Sequence, residues 1–168
     1  LVFLFEKNEL LSNSLLESSI NNKYRSEKNK KRDIYRNPYE TLSFFGVNSD
    51  KRILEIIPGR GWYTEILANY IHYPGTLIAA QGSYYMDGFK KKMDSDPMFG
   101  RVEIVSLSSN LADPNSVDAI VTFRNLHNWL GPRMDSIFKS SMVALKPGGI
   151  FGVVEHRANP GTDLEAMK

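Results

Sequence analysis

The stretch Arg52-Ile53-Leu54-Glu55-Ile56-Ile57-Pro58-Gly59-Arg60-Gly61-Trp62-Tyr63-Thr64 decides the fold. Residues 52–57 form an apolar run of strand length, broken by a single acid. Pro58-Gly59-x-Gly61 is a turn signal. Residues 63–71 then carry Ile66, Leu67, Tyr70 and Ile71 at helical spacing. A strand, a glycine turn and a helix in this order bring bare backbone N–H groups and a helix N-terminus to the carboxyl edge of a parallel sheet. Open α/β folds bind nucleotide-like ligands at that edge.

Outward from this unit, four more apolar runs occur: 76–80, 102–105, 117–123 and 150–155. Each is nearly continuous rather than alternating, which predicts strands buried on both faces. Helical patterns over 85–93 and 133–145 separate them, and residues 105–117 hold only a turn or short helix. Strands alternating with helices predict an α/β chain with a Rossmann-like, doubly wound, mostly parallel sheet and helices on both faces.

Pro38 suits the first turn of a helix that Gly46 ends, so the domain is expected over 38–168. Residues 1–37 are rich in Asn, Ser, Lys and Glu and read as a polar, basic arm, solvated or loosely docked. Its run Lys28-Asn29-Lys30-Lys31-Arg32 is either a solvated face or a phosphate-contacting arm. Leu1-Val2-Phe3-Leu4-Phe5 is either a leader remnant or the start of a helix. The first reading implies export; otherwise the cytoplasm is expected.

At 168 residues, 42% of them hydrophobic, the chain can bury one core. A net charge of +2 is too mild to imply nucleic acid. No cysteine is present, which removes disulfides, thiolate metal sites and a Cys nucleophile. His72, His127 and His156 follow no ligand spacing, so no metal is expected. No run reaches the ~20 apolar residues of a membrane span.

The glycine turn departs from a dinucleotide fingerprint, because Trp62, Tyr63 and Thr64 follow Gly61 where a third glycine would be needed. The acid lies in the first strand instead. A carboxylate at Glu55 facing the crevice suits a cationic group such as an α-amine and repels a pyrophosphate.

Glu55-x-x-Pro58-Gly59-x-Gly61-Trp62 resembles the first motif of class I S-adenosylmethionine-dependent methyltransferases, with Ile57 in place of that motif's first glycine. Gly75–Gln81 resembles the family's second strand. Val117–Trp129 resembles its fourth strand and following loop, and Ala144–Glu155 its Leu-Lys-Pro-Gly-Gly entry to the fifth. The wording Phe-Arg-Asn-x-His-Asn-Trp and Glu-His-Arg further resembles a bacterial branch of these enzymes. The family carries two more strands, so the resemblance implies a domain incomplete at its C-terminus and an open edge on the fifth strand.

The resemblance implies S-adenosylmethionine as cofactor, with Glu55, Pro58, Gly59, Gly61, Trp62, Gln81 and Asn125 around it. Gln81 stands where the family has the acid that takes the ribose hydroxyls. An amide bonds a diol without charge assistance, and Asp87 is a second candidate for that contact. His127 is either the general base or a hydrogen-bonded structural histidine. Arg124 suits an anionic substrate group, and Asn125 the donor or the acceptor. His156 and Arg157 belong to the same rim.

The expected activity is methyl transfer to a small molecule, since the loop after the fourth strand lacks the Asn/Asp-Pro-Pro-aromatic form of base-methylating enzymes. Two other readings are a non-catalytic module that binds the same cofactor and an NAD(P)-dependent oxidoreductase. The missing third glycine and the uncharged Gln81 disfavour the latter.

Overall fold

The computed structural model describes residues 2–107 and 110–163, with side chains from Leu11 onward. Helices α1 (Val2–Ile20), α2 (Glu27–Lys30), α3 (Asp33–Arg36) and α4 (Pro38–Phe44) precede β1 (Arg52–Ile56). There follow α5 (Thr64–Tyr70), β2 (Thr76–Gln81), α6 (Ser83–Met93) and β3 (Val102–Ser106). After β4 (Val117–Phe123) come α7 (Pro132–Ala144) and β5 (Leu145–Val154). The strands form one parallel sheet in the order β3-β2-β1-β4-β5. The order reverses direction between β1 and β4, so the ligand crevice of such a sheet lies at their carboxyl ends.

Strand parity divides the core. Ile53, Leu77, Ala79, Ala119 and Val121 face one side, packed with Leu16, Leu42, Ile66, Leu67 and Phe89 from α1, α4, α5 and α6. Leu54, Ile56, Ile78, Ala80 and Ile120 face the other, packed with Trp129 and with Ile137 and Ala144 of α7. The two-sided helix cover matches the sequence expectation.

Two expectations change. β1, β2 and β4 are buried on both faces, but β3 and β5 are half-exposed. The sheet order makes them edges, a fact of topology that their apolar composition does not carry. The segment before residue 38 is not a solvated arm either. α1 packs on α5 and α4, and Leu16, Ser19 and Arg25 are all 2% exposed or less. Arg25 donates through both Nη atoms to Asp33, each at 2.7 Å, and lies 4.9 Å from the Trp62 ring centre, with Arg36 at 4.7 Å. Trp62 Nε1 donates to Asn29 O at 2.9 Å. Arg25, Asn29, Asp33 and Arg36 of this segment are thus committed to protein partners, while Lys28, Lys31 and Arg32 of the basic run stay exposed as a solvated face. The leader-remnant reading falls largely outside the described residues, which lack Leu1 and the side chains of residues 2–10.

Candidate functional site

The backbone of the glycine turn comes first. Gly59 has φ +60°, and a Cβ there would meet nothing within 4 Å. Gly82, just past β2, is equally open. Gly61 has φ +75°, but a Cβ there would come within 3.3 Å of Phe89, so its free side is taken by protein. Pro58 closes the turn by accepting from Gly61 N–H at 2.9 Å. Beside Gly59 and Arg60 lies a cleft of about 540 Å³ with Asn29, Tyr84, Tyr85, Phe89 and Lys92 in its walls. Its size suits a small ligand (~300–1,000 Å³).

Two residues at the crevice hold left-handed backbone without being glycine. They are Ile57, φ +50°, at the end of β1, and Arg124, φ +62°, at the end of β4. A β-branched residue there is a genuine outlier, and such strain concentrates at functional sites. Ile57 stands where the family motif has glycine, the residue this conformation favours.

The side chains around the turn face inward. Glu55 is 2% exposed, and its Oε2 accepts from Thr64 Oγ1 at 2.6 Å. Burial pushes its carboxyl up to about 7, against the opposing pull of the Thr64 hydroxyl and Lys92. The expected carboxylate facing the crevice is therefore corrected: the acid lies under the turn, against the first residue of α5. Strand parity explains this, because Glu55 shares the α5 side with Ile53.

Gln81 is fully buried. Its Nε2 donates to Gly59 O at 2.9 Å, and its Oε1 accepts from Gly82 N–H at 3.0 Å. Both ends of the amide that was expected to meet a diol thus hold a protein partner. Asn125 Nδ2 is likewise engaged, by Ile56 O, Ile57 O and Thr122 Oγ1 at 3.0–3.3 Å. Trp62 lies in the arginine sandwich, 6% exposed, and not in the crevice. Asp87 is exposed on α6.

The opposite rim is open. His127 sits in a 3₁₀ turn (Leu126–Asn128) directly after β4. Its Nδ1 donates to Glu155 Oε1 at 3.0 Å, and its Nε2 accepts from Asn128 Nδ2 at 3.0 Å. Glu155 also accepts backbone N–H bonds from Leu126 at 2.7 Å and His156 at 2.8 Å. Partial burial works to raise this carboxyl, but the bonds from His156, His127 and Leu126 outweigh it and hold Glu155 below the usual range. Arg124 Nε donates to His156 Nε2 at 2.9 Å. The structure thus unites His127, Arg124 and His156 as expected, with Arg157 next in the chain. It adds Glu155, which sequence reading took only for a strand end. Its place beside His156-Arg157 at the carboxyl edge of β5 was the available signal.

No family model matches this chain, and no curated protein matches it. Solved structures do. The chain resembles an S-adenosylmethionine-dependent methyltransferase from Aquifex aeolicus at 19% identity, over 83% of this chain and 78% of that one, with a TM-score of 0.65. It resembles the [4+2]-cyclase SpnF at 20% identity, over 76% of this chain and 47% of that one, with a TM-score of 0.61. The glycopeptide N-methyltransferase MtfA, solved with sinefungin, matches at 18% identity, over 68% of this chain and 50% of that one, with a TM-score of 0.50. The chain therefore spans about half the length of the last two. The fold is the Rossmann-like α/β fold of S-adenosylmethionine-dependent methyltransferases. A cyclase among the neighbours illustrates that this fold does not fix the reaction.

Proposed function

We propose that this chain binds S-adenosylmethionine at the β1 glycine turn and transfers its methyl group to a small-molecule acceptor. The observation that carries the reading is the open, left-handed Gly59 at the carboxyl end of β1, next to the sheet's switch point and a ligand-sized cleft. The fit is through backbone: the turn leaves room for close approach, whereas Glu55, Gln81 and Asn125 are turned to protein partners. Bound there, the cofactor would supply an already activated methyl group. The protein's part is then orientation and exclusion of water. Gln81 and Asn125 hold the turn and the ends of β1 and β4 in one geometry. Arg124 and His156 offer charge and hydrogen bonds at the rim, and His127 is the candidate base.

Calorimetry with S-adenosylmethionine tests this on wild type, Gly59→Val and Gly148→Val. Gly148 has φ +80° and open space, but lies in the turn within β5, so it controls for backbone strain. Binding weakened at least about tenfold by Gly59→Val alone, roughly 1.4 kcal/mol, is the expected result. No binding by wild type, or equal binding by all three, overturns the reading. NAD(P) binding in its place favours an oxidoreductase.

One observation favours a second reading, a non-catalytic module. The amide of Gln81 closes on the protein in place of the family's ribose-binding acid. That reading expects the cofactor to bind without turnover.

A further inference from the structure

The Glu155–His127 pair is a built polar group on the rim, apart from the glycine turn. Glu155 gathers N–H donors from two elements: Leu126 and His127 after β4, and His156 after β5. An ionised carboxylate only accepts, so the ring bond at 3.0 Å requires the proton on His127 Nδ1. The Asn128 amide donates to Nε2 from the other side, which requires a lone pair there. The acid therefore selects this neutral tautomer, and the Asn128 contact is compatible with it. The His127 side chain is 34% exposed and Glu155 22%, so the ring reaches solvent above a more sheltered acid.

We propose that Glu155 is the positioning residue for His127, fixing Nε2 as a proton acceptor, and that the methyl acceptor is a proton-bearing nucleophile: a hydroxyl, amine or thiol. This rests on the methyltransferase reading. In the step, the acceptor heteroatom bonds the methyl carbon as that carbon's bond to sulfur breaks, the electron pair staying on sulfur. The heteroatom's proton passes to His127 Nε2, whose lone pair the exposed Asn128 amide gives up as the acceptor docks. Glu155 stabilises the imidazolium so formed and keeps its own charge. Acceptors without a proton, such as thioethers and tertiary amines, gain nothing from this arrangement.

The test begins on the protein alone. Nitrogen-15 chemical shifts of the His127 ring are expected to give an Nδ1–H tautomer in wild type. In Glu155→Gln the neutral amide can donate to or accept from Nδ1, so the Nδ1–H tautomer is no longer fixed and a mixture of the two tautomers is expected. A wild-type ring with its proton on Nε2 overturns the proposal, whatever else is found.

The second arm measures S-adenosylhomocysteine release with 4-nitrophenol, ethanolamine and 2-mercaptoethanol, and with the proton-free probes dimethyl sulfide and trimethylamine. Wild type is expected to turn over at least one proton-bearing probe. Glu155→Gln should lower that turnover about 100-fold, with the Kd for S-adenosylmethionine unchanged. Turnover of proton-free probes only overturns the proposal. So does a wild type that binds the cofactor yet releases no product from any proton-bearing probe. Failure of wild type to bind S-adenosylmethionine overturns the methyltransferase reading and the acceptor class with it, an outcome distinguishable because the tautomer arm needs no cofactor.

Discussion

The β1 turn and the β4–β5 rim lie along the same carboxyl edge of one sheet, yet they handle polar groups in opposite ways. At the turn, Glu55, Gln81 and Asn125 point into the protein and bond Thr64, Gly59, Gly82 and the end of β1. What remains for a ligand is backbone and space. At the rim, Arg124, His127 and His156 stand partly or wholly in solvent over the carboxylate of Glu155. A site built this way separates holding from chemistry. On the proposed reading, the backbone cradle would grip a ligand common to many reactions, while the exposed side chains would select and activate the variable partner.

The two carboxyls make the contrast measurable, because their stability contributions slope in opposite directions with pH. Glu55 is neutral in the fold up to about 7, whereas the unfolded chain ionises it from about 4.5. The folded state thus holds the extra proton in that window, and stability falls as pH rises through it. The loss is complete above about 7 and amounts to roughly 3 kcal/mol, the linkage energy of a carboxyl moved from 4.5 to about 7. Glu55→Gln keeps an acceptor for Thr64 and carries no charge. Urea unfolding is expected to find it about as stable as wild type at pH 4 and about 3 kcal/mol more stable at pH 8. Parallel curves for the two proteins would mean that Glu55 is not buried as described. Glu155 works the other way. Its lowered carboxyl adds stability above about 4.5 that is lost as pH falls below it, so Glu155→Gln flattens only the acid limb.

Gln81 tests whether the turn is held shut by its own side chain. Gln81→Leu leaves Gly59 O and Gly82 N–H without the amide that bonds both. Leaving such groups unsatisfied costs about 2 kcal/mol, readable by urea unfolding, and faster tryptic cleavage at the exposed Arg60 should accompany it. Gln81→Glu restores the acid of the family motif but sets a carboxylate oxygen against the carbonyl of Gly59. It is expected to destabilise the turn by a similar amount. A gain in stability from Gln81→Glu would show that the amide is not the latch.

The contrast also marks what the sequence made legible. The strand over 52–57, the Pro-Gly-x-Gly turn and the helix after it were readable because hydrophobic runs and glycine punctuation are local signals. Their sum gave the parallel sheet with its strand, turn and helix in the observed order. Which way Glu55 and Gln81 point does not follow from their resemblance to the motif, because a motif fixes residue type and spacing but not the neighbours that bond the side chain. Strand parity assigns both residues to the α5 side, with Ile53 and Ala79, and would have turned them inward. Arg25 and Trp62 were beyond reach for another reason. Their burial depends on a bidentate contact to Asp33 and on ring stacking, and a polar, lysine-rich composition looks the same whether its charges meet water or each other. Glu155 fell between these cases: its position was legible, but its partnership with His127 needs the adjacency of β4 and β5.

The smallest expected effect separates the two regions at the backbone itself. Ile57 and Arg124 carry the same left-handed strain, one under the closed turn and one on the open rim. Substitution of each by Ala and by Gly isolates that strain, because both changes remove the side chain and differ only in the Cβ. In ordinary helical or extended backbone Ala is the more stable of the two. With φ positive the order reverses, and Gly is expected to win by about 1 kcal/mol at each position. Relative to wild type the positions then diverge. Ile57 is partly buried against the core cluster that holds Leu54 and Ile120, so Ile57→Gly still loses apolar packing, whereas the exposed Arg124 has little packing to lose. Arg124→Gly should therefore approach or exceed wild-type stability, and Ile57→Gly should fall below it. Urea midpoints for the four variants decide the matter. If Ala equals or exceeds Gly at position 57, the residue is not held left-handed, and the strained end of β1 ceases to distinguish the turn from the rim.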